Sequence, residues 1–316
     1  MKKTLCVVFT ILIFSLFSCT AREAAYNGSE YSFSVNYSET VNPGDIVFIN
    51  MTFFSENFDY KVPEKATAEL IRLSNGKSYG KRDLYTVRQN PPMMFAAIPL
   101  STYLESGEFV LEVHYEEFNG REMKFSLPVI AEPKEFIEEV LYLNAQNTAI
   151  KTDNSPQRAS QIDRLNEILY SVNQNAIYYN SNFVLPVDST RRTAFFGDRR
   201  TYQYNTGGKS TSLHYGIDFG VPTGTPVYAC GDGKVVLVEN RVSTGWSVVI
   251  EHLPGLYSLY YHLDSVLIEE GMLVKSGEEI ALSGATGLAT GPHLHWEVRF
   301  FGEAINPDFL VENQLY

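Results

Sequence analysis

The run GATGLATGPHLHWEV, residues 284–298, places His293 and His295 one residue apart behind a glycine-rich loop. On a strand, side chains at i and i+2 leave the same face, about 6.6 Å apart along the backbone, so both imidazoles can address one small centre. That geometry suits a metal ion, but two histidines on one face also occur as plain polar surface. Spacing alone does not choose a ligand between them. A second pair, His214 and Asp218, lies in LHYGIDFG. Gly216 and Gly220 argue against a helix there. In a straight strand, positions four apart are separated by about 13 Å, too far to share an ion held at about 2 Å. A common site therefore requires a bend, and Gly216, midway between the two, is where a bend is sterically easy.

The other histidines read differently. His262, in LYYHLDS at the end of an aromatic strand, reads by itself as a core or turn histidine rather than a site residue. His252, in IEHLPG beside a Pro-Gly turn, is expected to be an exposed turn residue. His114, on an alternating strand with no ligand-type neighbour, is expected to be structural. GATGLATG lacks the GK[ST] ending of a phosphate-binding P-loop, so its glycines are read as letting the loop approach the site before Pro292 stiffens the strand entry. Arg191, Arg192, Arg199 and Arg200 form a basic cluster, either a solvated ion-paired hairpin or a contact for carboxylates of a peptide substrate.

These residues need a scaffold, and the chain offers mainly β-structure. With 316 residues it suits two domains, each able to bury a core. Its 20 Tyr and 20 Phe favour strands. Residues 30–132 hold seven strand-like segments: YSFSVNYS, DIVFINMTFF, ATAELIRL, SYGKRDLYTV, MMFAAIPL, EFVLEVHY and EMKFSLPVI. Asn75-Gly76 and Asn119-Gly120 read as type I′ hairpin turns. The expectation is an immunoglobulin-like β-sandwich with no catalytic cluster. Residues 133–182 form a connector in which KEFIEEVLYLN is ambiguous between strand and helix. SPQRASQIDRLNEILYSVNQ predicts a helix capped by Ser155, with Pro156 in its first turn and an apolar face of Ile162, Leu165, Ile168, Leu169 and Val172. That face has to pack somewhere. Residues 183–316 are glycine-punctuated and all-β, with strands around HYGIDF, TPVYAC, GKVVLVEN, WSVVIEH, YSLYYHL, EIALSG and HLHWEVRF. They predict one compact antiparallel β domain built around a groove.

The N-terminus adds a cellular address. Lys2 and Lys3 precede the apolar run Leu5 to Phe17, which reads as a secretory signal over residues 1–18. Leu16-Phe17-Ser18-Cys19 resembles a lipobox, which implies a lipidated Cys19, a tether over residues 19–29, and an exported lipoprotein anchored to a membrane and facing the periplasm or cell envelope. Without Lys2 and Lys3 the 25 basic residues become 23 against 37 acidic ones, a formal charge of −14. Such a chain is poorly suited to gripping nucleic acid. Cys230, in an apolar strand end, is expected to be a small buried residue rather than a disulfide partner.

Taken together, HxxxD at 214–218, YxHL at 260–263 and TGPHLHWE at 290–297 form a wider pattern with GIDF, GTPV, DGKV, the Gly271–Gly277 run and the upstream FFGDRR. This pattern resembles the M23 family of zinc metallopeptidases, of lysostaphin and LytM type, over about residues 183–310. The resemblance implies His214, Asp218 and His295 as ligands of one Zn2+, and His262 and His293 as catalytic histidines. Tyr202 or Tyr204 would assist the oxyanion. Two His and one Asp leave a tetrahedral zinc open for catalysis. The implied activity is endopeptidase cleavage of peptidoglycan cross-links or stem peptides, for cell-wall remodelling. The alternative is a non-catalytic homologue that binds the wall or activates another hydrolase; retention of all five positions weighs against it.

Overall fold

The computed structural model describes residues 21–27, 32–54, 62–117, 119–179, 182–313 and 315. Residues 1–18, read as a signal, and Cys19 lie outside the described residues. Contacts divide the chain into two units, the first within Met1–Leu100, Glu105–Pro133 and Leu315–Tyr316, the second within Ser101–Leu104 and Lys134–Gln314. Among the described residues no helix is long and apolar enough to cross a membrane.

In the first unit the strands are β1 (Ala21–Asn27), β2 (Ser32–Ser38), β3 (Thr40–Val41), β4 (Ile46–Phe54), β5 (Ala66–Arg72), β6 (Ser78–Asp83), β7 (Tyr85–Gln89), β8 (Pro92–Pro99), β9 (Gly107–Glu116) and β10 (Glu122–Ala131). They form two five-stranded sheets, ordered β1-β2-β4-β8-β7 and β3-β10-β9-β5-β6. All neighbours are antiparallel except β3 and β10. Alternation sets the faces: in β5 and β10 every second residue is buried. The facing sheets pack through Phe33 of β2, whose ring lies 5.7 Å from Tyr115 of β9 and 5.8 Å from Phe125 of β10. This is the two-sheet sandwich expected from the strand pattern.

Three details differ from expectation. Residues 21–27, read as part of a tether, form β1 and pair with β2. SYGKRDLYTV is two strands, not one: the chain leaves β6 in one sheet, passes the buried Leu84, and enters β7 in the other. Period-2 patterning does not register a change of sheet. The Asn-Gly turns are not type I′ either. Gly76 and Gly120 take positive φ (68° and 78°), but Asn75 and Asn119 do not. Instead each Asn side chain accepts from the N–H two residues on, at 2.9 Å from Lys77 and 2.8 Å from Arg121, which competes with the left-handed conformation I′ demands. His114 stands at the surface of β9, 3.4 Å from Glu112.

The second unit opens with connector elements that pack within it. KEFIEEVLYLN resolves into strand β11 (Glu138–Tyr142), followed by helices α1 (Ala145–Lys151) and α2 (Pro156–Leu169). Asn144 caps α1 through Asn147 N–H at 2.8 Å, and Ser155 caps α2 through Arg158 N–H at 3.2 Å, with Pro156 at its start. Leu165, Ile168 and Leu169 cover a core of Leu237, Val249, Tyr257, Leu259 and Tyr261. Ile162 and Val172 stay largely exposed, so the packed face is narrower than the sequence stripe.

The remaining strands are β12 (Arg192–Ala194), β13 (Arg199–Gln203), β14 (Lys209–Leu213), β15 (Gly216–Phe219), β16 (Pro226–Tyr228), β17 (Gly233–Arg241), β18 (Gly245–Leu253), β19 (Leu256–Val266), β20 (Leu273–Val274), β21 (Glu279–Ser283), β22 (Leu294–Phe300) and β23 (Glu303–Ile305), followed by helix α3 (Pro307–Glu312). A ten-stranded sheet runs β12-β15-β22-β19-β18-β17-β20, with β16, β21 and β23 attached at its flanks. A small sheet, β11-β13-β14, stands apart from it, with β11 parallel to β13. Trp296, Phe219 and Tyr260 are fully buried in the core beneath the site strands. Cys230 is buried as expected, and free.

Candidate metal centre

Strand β22 lies between β15 and β19, and that order assembles the site. The register sets His295 opposite Asp218 on one side and opposite Tyr261, the neighbour of His262, on the other. His214 arrives from the break between β14 and β15. The break falls at His214–Tyr215, not at Gly216, which is the first residue of β15 and does not have positive φ. Gly216 is needed for a different reason. A Cβ there would lie 2.2 Å from the Trp296 carbonyl oxygen and 2.9 Å from His295 Nε2, so its absence lets β15 close on β22.

Three atoms then converge. His214 Nε2 is 3.0 Å from Asp218 Oδ1 and 3.0 Å from His295 Nδ1, and His295 Nδ1 is 2.9 Å from the same carboxylate oxygen. The outward atoms fix which faces point inward. His214 Nδ1–H donates to the Phe195 carbonyl at 2.8 Å, and His295 Nε2–H donates to Glu297 Oε2 at 3.2 Å. With those protons placed outside, Nε2 of one ring and Nδ1 of the other turn lone pairs toward a carboxylate oxygen, and mutual repulsion is relieved by a cation at their centre. Nitrogen and oxygen donors of this kind, two His and one Asp, fit zinc.

The charges agree with that reading. Burial would raise the Asp218 carboxyl, but the close His214 and His295 imidazoles outweigh it and hold the group well below the usual carboxylate range. For His295, burial disfavours charge, yet Asp218 and Glu297 push it up to about 9. His214 is lowered, burial prevailing over Asp218. A positive charge beside Asp218 is thus favoured, supplied by a proton on His295 or by a cation at the centre. Asp218 Oδ2 is occupied separately: Arg200 donates to it at 2.9 Å, and Glu139 of β11 lies 3.3 Å from Arg200 Nε.

His262 and His293 stand beside this cluster, their rings 4.7 Å apart, with His293 Nε2 3.7 Å from Asp218 Oδ1. The glycine-rich loop orients both. His262 Nδ1–H donates to the Thr286 carbonyl and His293 Nδ1–H to the Gly291 carbonyl, each at 2.8 Å. Both rings are thereby turned with Nε2 away from the loop carbonyls. His262 occupies the left-handed region at φ 61°, a strained conformation for a non-glycine residue, held by a bond from its own N–H to the Thr244 carbonyl at 2.9 Å. Burial first, then the neighbouring His293 and His295, push its pKa down to about 3.

The five sequence-derived positions come together at a groove of about 590 Å³. Tyr202 lines it, whereas the Tyr204 hydroxyl donates to Ser210 at 2.6 Å and Tyr204 does not line the groove. The arginine cluster disperses: Arg191 donates to the Gly220 carbonyl, Arg192 pairs with Asp308, Arg199 donates to Thr102, and only Arg200 reaches the centre. His252 corrects its expectation. It is fully buried, accepted at Nδ1–H by the Asp232 carbonyl and bonded at Nε2 to Ser258, both at 2.7 Å. The Pro-Gly turn begins only after β18 has carried it inside. Arg200 and Glu297 were missed as partners of ligands. Glu297 was legible, two residues beyond His295 on the same strand face; Arg200 was not, because its contact depends on how β13 folds over β15.

A β domain in which two histidines and one aspartate converge, flanked by two further histidines, is the class these features define. Residues 212–307 match peptidase family M23, and this part of the chain is an M23 peptidase domain. Among curated proteins, the peptidoglycan DD-endopeptidase ShyA of Vibrio cholerae is 39% identical over 165 residues, covering 49% of this chain and 38% of that protein. ShyB of the same organism is 45% identical over 113 residues, covering 36% and 26%. The chain thus spans well under half the length of either relative. A crystal structure of an M23 protein from Pseudomonas aeruginosa shares the fold at 20% identity and TM-score 0.54, over 85% of this chain and 94% of that one.

Proposed function

We propose that the protein is an exported, zinc-dependent endopeptidase that hydrolyses peptide bonds in peptidoglycan cross-links or stem peptides, in the service of cell-wall remodelling. The observation that carries this reading is the convergence of His214, Asp218 and His295 within hydrogen-bond distance of one another beside two histidines anchored through Nδ1 to loop carbonyls. His214 and His295 are the nitrogen ligands and Asp218 the oxygen ligand. Bound there, zinc supplies Lewis acidity toward a peptide carbonyl and acidifies water. One of His262 and His293 would accept the water proton at Nε2 and return it to the departing amine while the other stabilises the transition state, each keeping its Nδ1 proton in the bond to a loop carbonyl. Arg200 holds the far oxygen of Asp218 so that Oδ1 alone faces the centre. Tyr202 in the groove is the candidate oxyanion donor.

The endopeptidase names of the matched relatives, the signal-like N-terminus and the lipobox-like segment ending at Cys19 support an envelope location with a membrane anchor. Incubation of the protein lacking residues 1–18 with purified sacculi is expected to release muropeptides, and a zinc chelator to stop the release. Intact sacculi from every wall type tested would overturn the reading. Lipid labelling that is lost in Cys19→Ser is expected for the anchor; labelling of neither form would remove it.

A further inference from the structure

The groove holds one cation that its surroundings leave unanswered. Lys151, at the end of α1, lines it together with Arg200, Arg241 and Arg299, the last paired with Glu297. Arg200 is paired with Asp218 and Glu139, and Arg241 has Glu239 at 3.9 Å and the Gln161 carbonyl. Among the described residues no carboxylate lies within 4.0 Å of Lys151 Nζ. The ammonium sits instead over the face of Tyr202, 4.0 Å from the ring centroid. Tyr202 in turn interacts with Arg200, the arginine that holds Asp218. Lys151 is therefore one aromatic ring and one guanidinium away from the metal ligands.

Its placement is built rather than incidental. Helix α1 is fastened to both rims of the groove: Asn147 Nδ2 donates to the Ala289 carbonyl in the glycine-rich loop at 3.0 Å, and Thr148 Oγ1 accepts from Asn205 N–H, in the β13–β14 turn, at 3.2 Å. Asn147 and Thr148 are both buried. A half-buried ammonium costs desolvation, and Arg158 and Arg200 nearby add like charge; both lower its pKa. An arriving anion would relieve those penalties. In a chain with 37 acidic residues, a cation without an internal acidic partner at the catalytic groove stands out as a place for a ligand's negative charge.

We propose that Lys151 is a substrate-anchoring residue that binds a carboxylate of the peptide being cleaved, so that the connector helix α1, outside the M23 match, forms part of the specificity groove. This rests on the peptidase reading above. The carboxylate can be the peptide's C-terminus or an acidic side chain, and the two have the same chemistry at Nζ.

The test uses the zinc-loaded protein lacking only residues 1–18 and three synthetic stem peptides: one with both carboxylates free, one amidated at the C-terminus, one amidated at the acidic side chain. In the unsubstituted protein, one of the two amidations is expected to raise KM about tenfold, which names the carboxylate. In Lys151→Met that acid-over-amide ratio is expected to fall to about one, and Lys151→Arg to restore most of it. A ratio unchanged in Lys151→Met, or neither amidation mattering in the unsubstituted protein, would overturn the proposal. Should no peptide be cleaved at all, the peptidase reading fails separately. Calorimetric binding of the free-acid and amidated peptides to the protein and to Lys151→Met then decides the carboxylate claim by the same ratio.

Discussion

At the scale of single residues, the site is a set of acceptors whose protons have been placed elsewhere. Phe195 and Glu297 take the outer protons of His214 and His295, and Thr286 and Gly291 take those of His262 and His293. Such outer partners tune metal affinity. Arg200→Met is expected to weaken zinc binding by about 10- to 100-fold, measured by chelator competition, with Arg200→Lys intermediate. His293→Ala is expected to keep its zinc and lose about 100- to 10,000-fold in kcat on a muropeptide. Loss of zinc in that variant would make His293 a ligand instead. Away from the site, buried His252 stays neutral in the folded protein, burial pushing it down to about 4, whereas the unfolded chain protonates near 6.5. The unfolded state therefore takes up the proton first as pH falls, and stability drops between about pH 6.5 and 4, by on the order of 3 kcal/mol from this residue. Urea midpoints of His252→Gln should show a shallower pH dependence across that window than those of the unsubstituted protein.

At the scale of elements, three adjacent strands and one loop do the positioning, and small residues at crowded places let them meet. Gly216→Ala would drive a Cβ into the Trp296 carbonyl; β15 must shift from β22, and zinc affinity and melting temperature are both expected to fall. Leu169→Ala, which opens the core beneath α2, is expected to cost about 2–5 kcal/mol in chemical denaturation without altering the zinc content. Much at this scale was legible in the sequence. The strand segments read in the second unit are present as β15 to β19, β21 and β22, and the Ser155-capped helix is where its cap and Pro156 put it. What escaped was set by tertiary context. Helix α1 is only seven residues long and leans on Thr148 and Asn147 contacts from distant chain, and the bend at the metal pair fell beside Gly216 because β15 had to begin there to meet β22. The buried fate of His252 depended on Asp232 and Ser258, which no local pattern reveals.

At the scale of the molecule, the chain joins a two-sheet β unit to a metal-centre unit, and the connector packs within the latter. A fragment beginning at residue 183 would bare the surface of Leu237, Tyr257 and Leu259 that α2 covers, and would lack Glu139 and Lys151. It is expected to melt at lower temperature than a fragment beginning at residue 134, by scanning calorimetry; equal melting would show that the connector adds no stability. The convergence of four histidines and one aspartate was readable because these residues lie in short motifs. Their partners were not, since Arg200 and Lys151 reach the groove only through β13 and α1.

The account rests on His214, Asp218 and His295 holding a single zinc ion. Elemental analysis of the protein and of His295→Ala, each dialysed exhaustively against metal-free buffer, tests this most directly. About one zinc per chain in the first and a small fraction of that in the second is the predicted result. Less than about half an equivalent in the unsubstituted protein, or equal zinc in both, would contradict it.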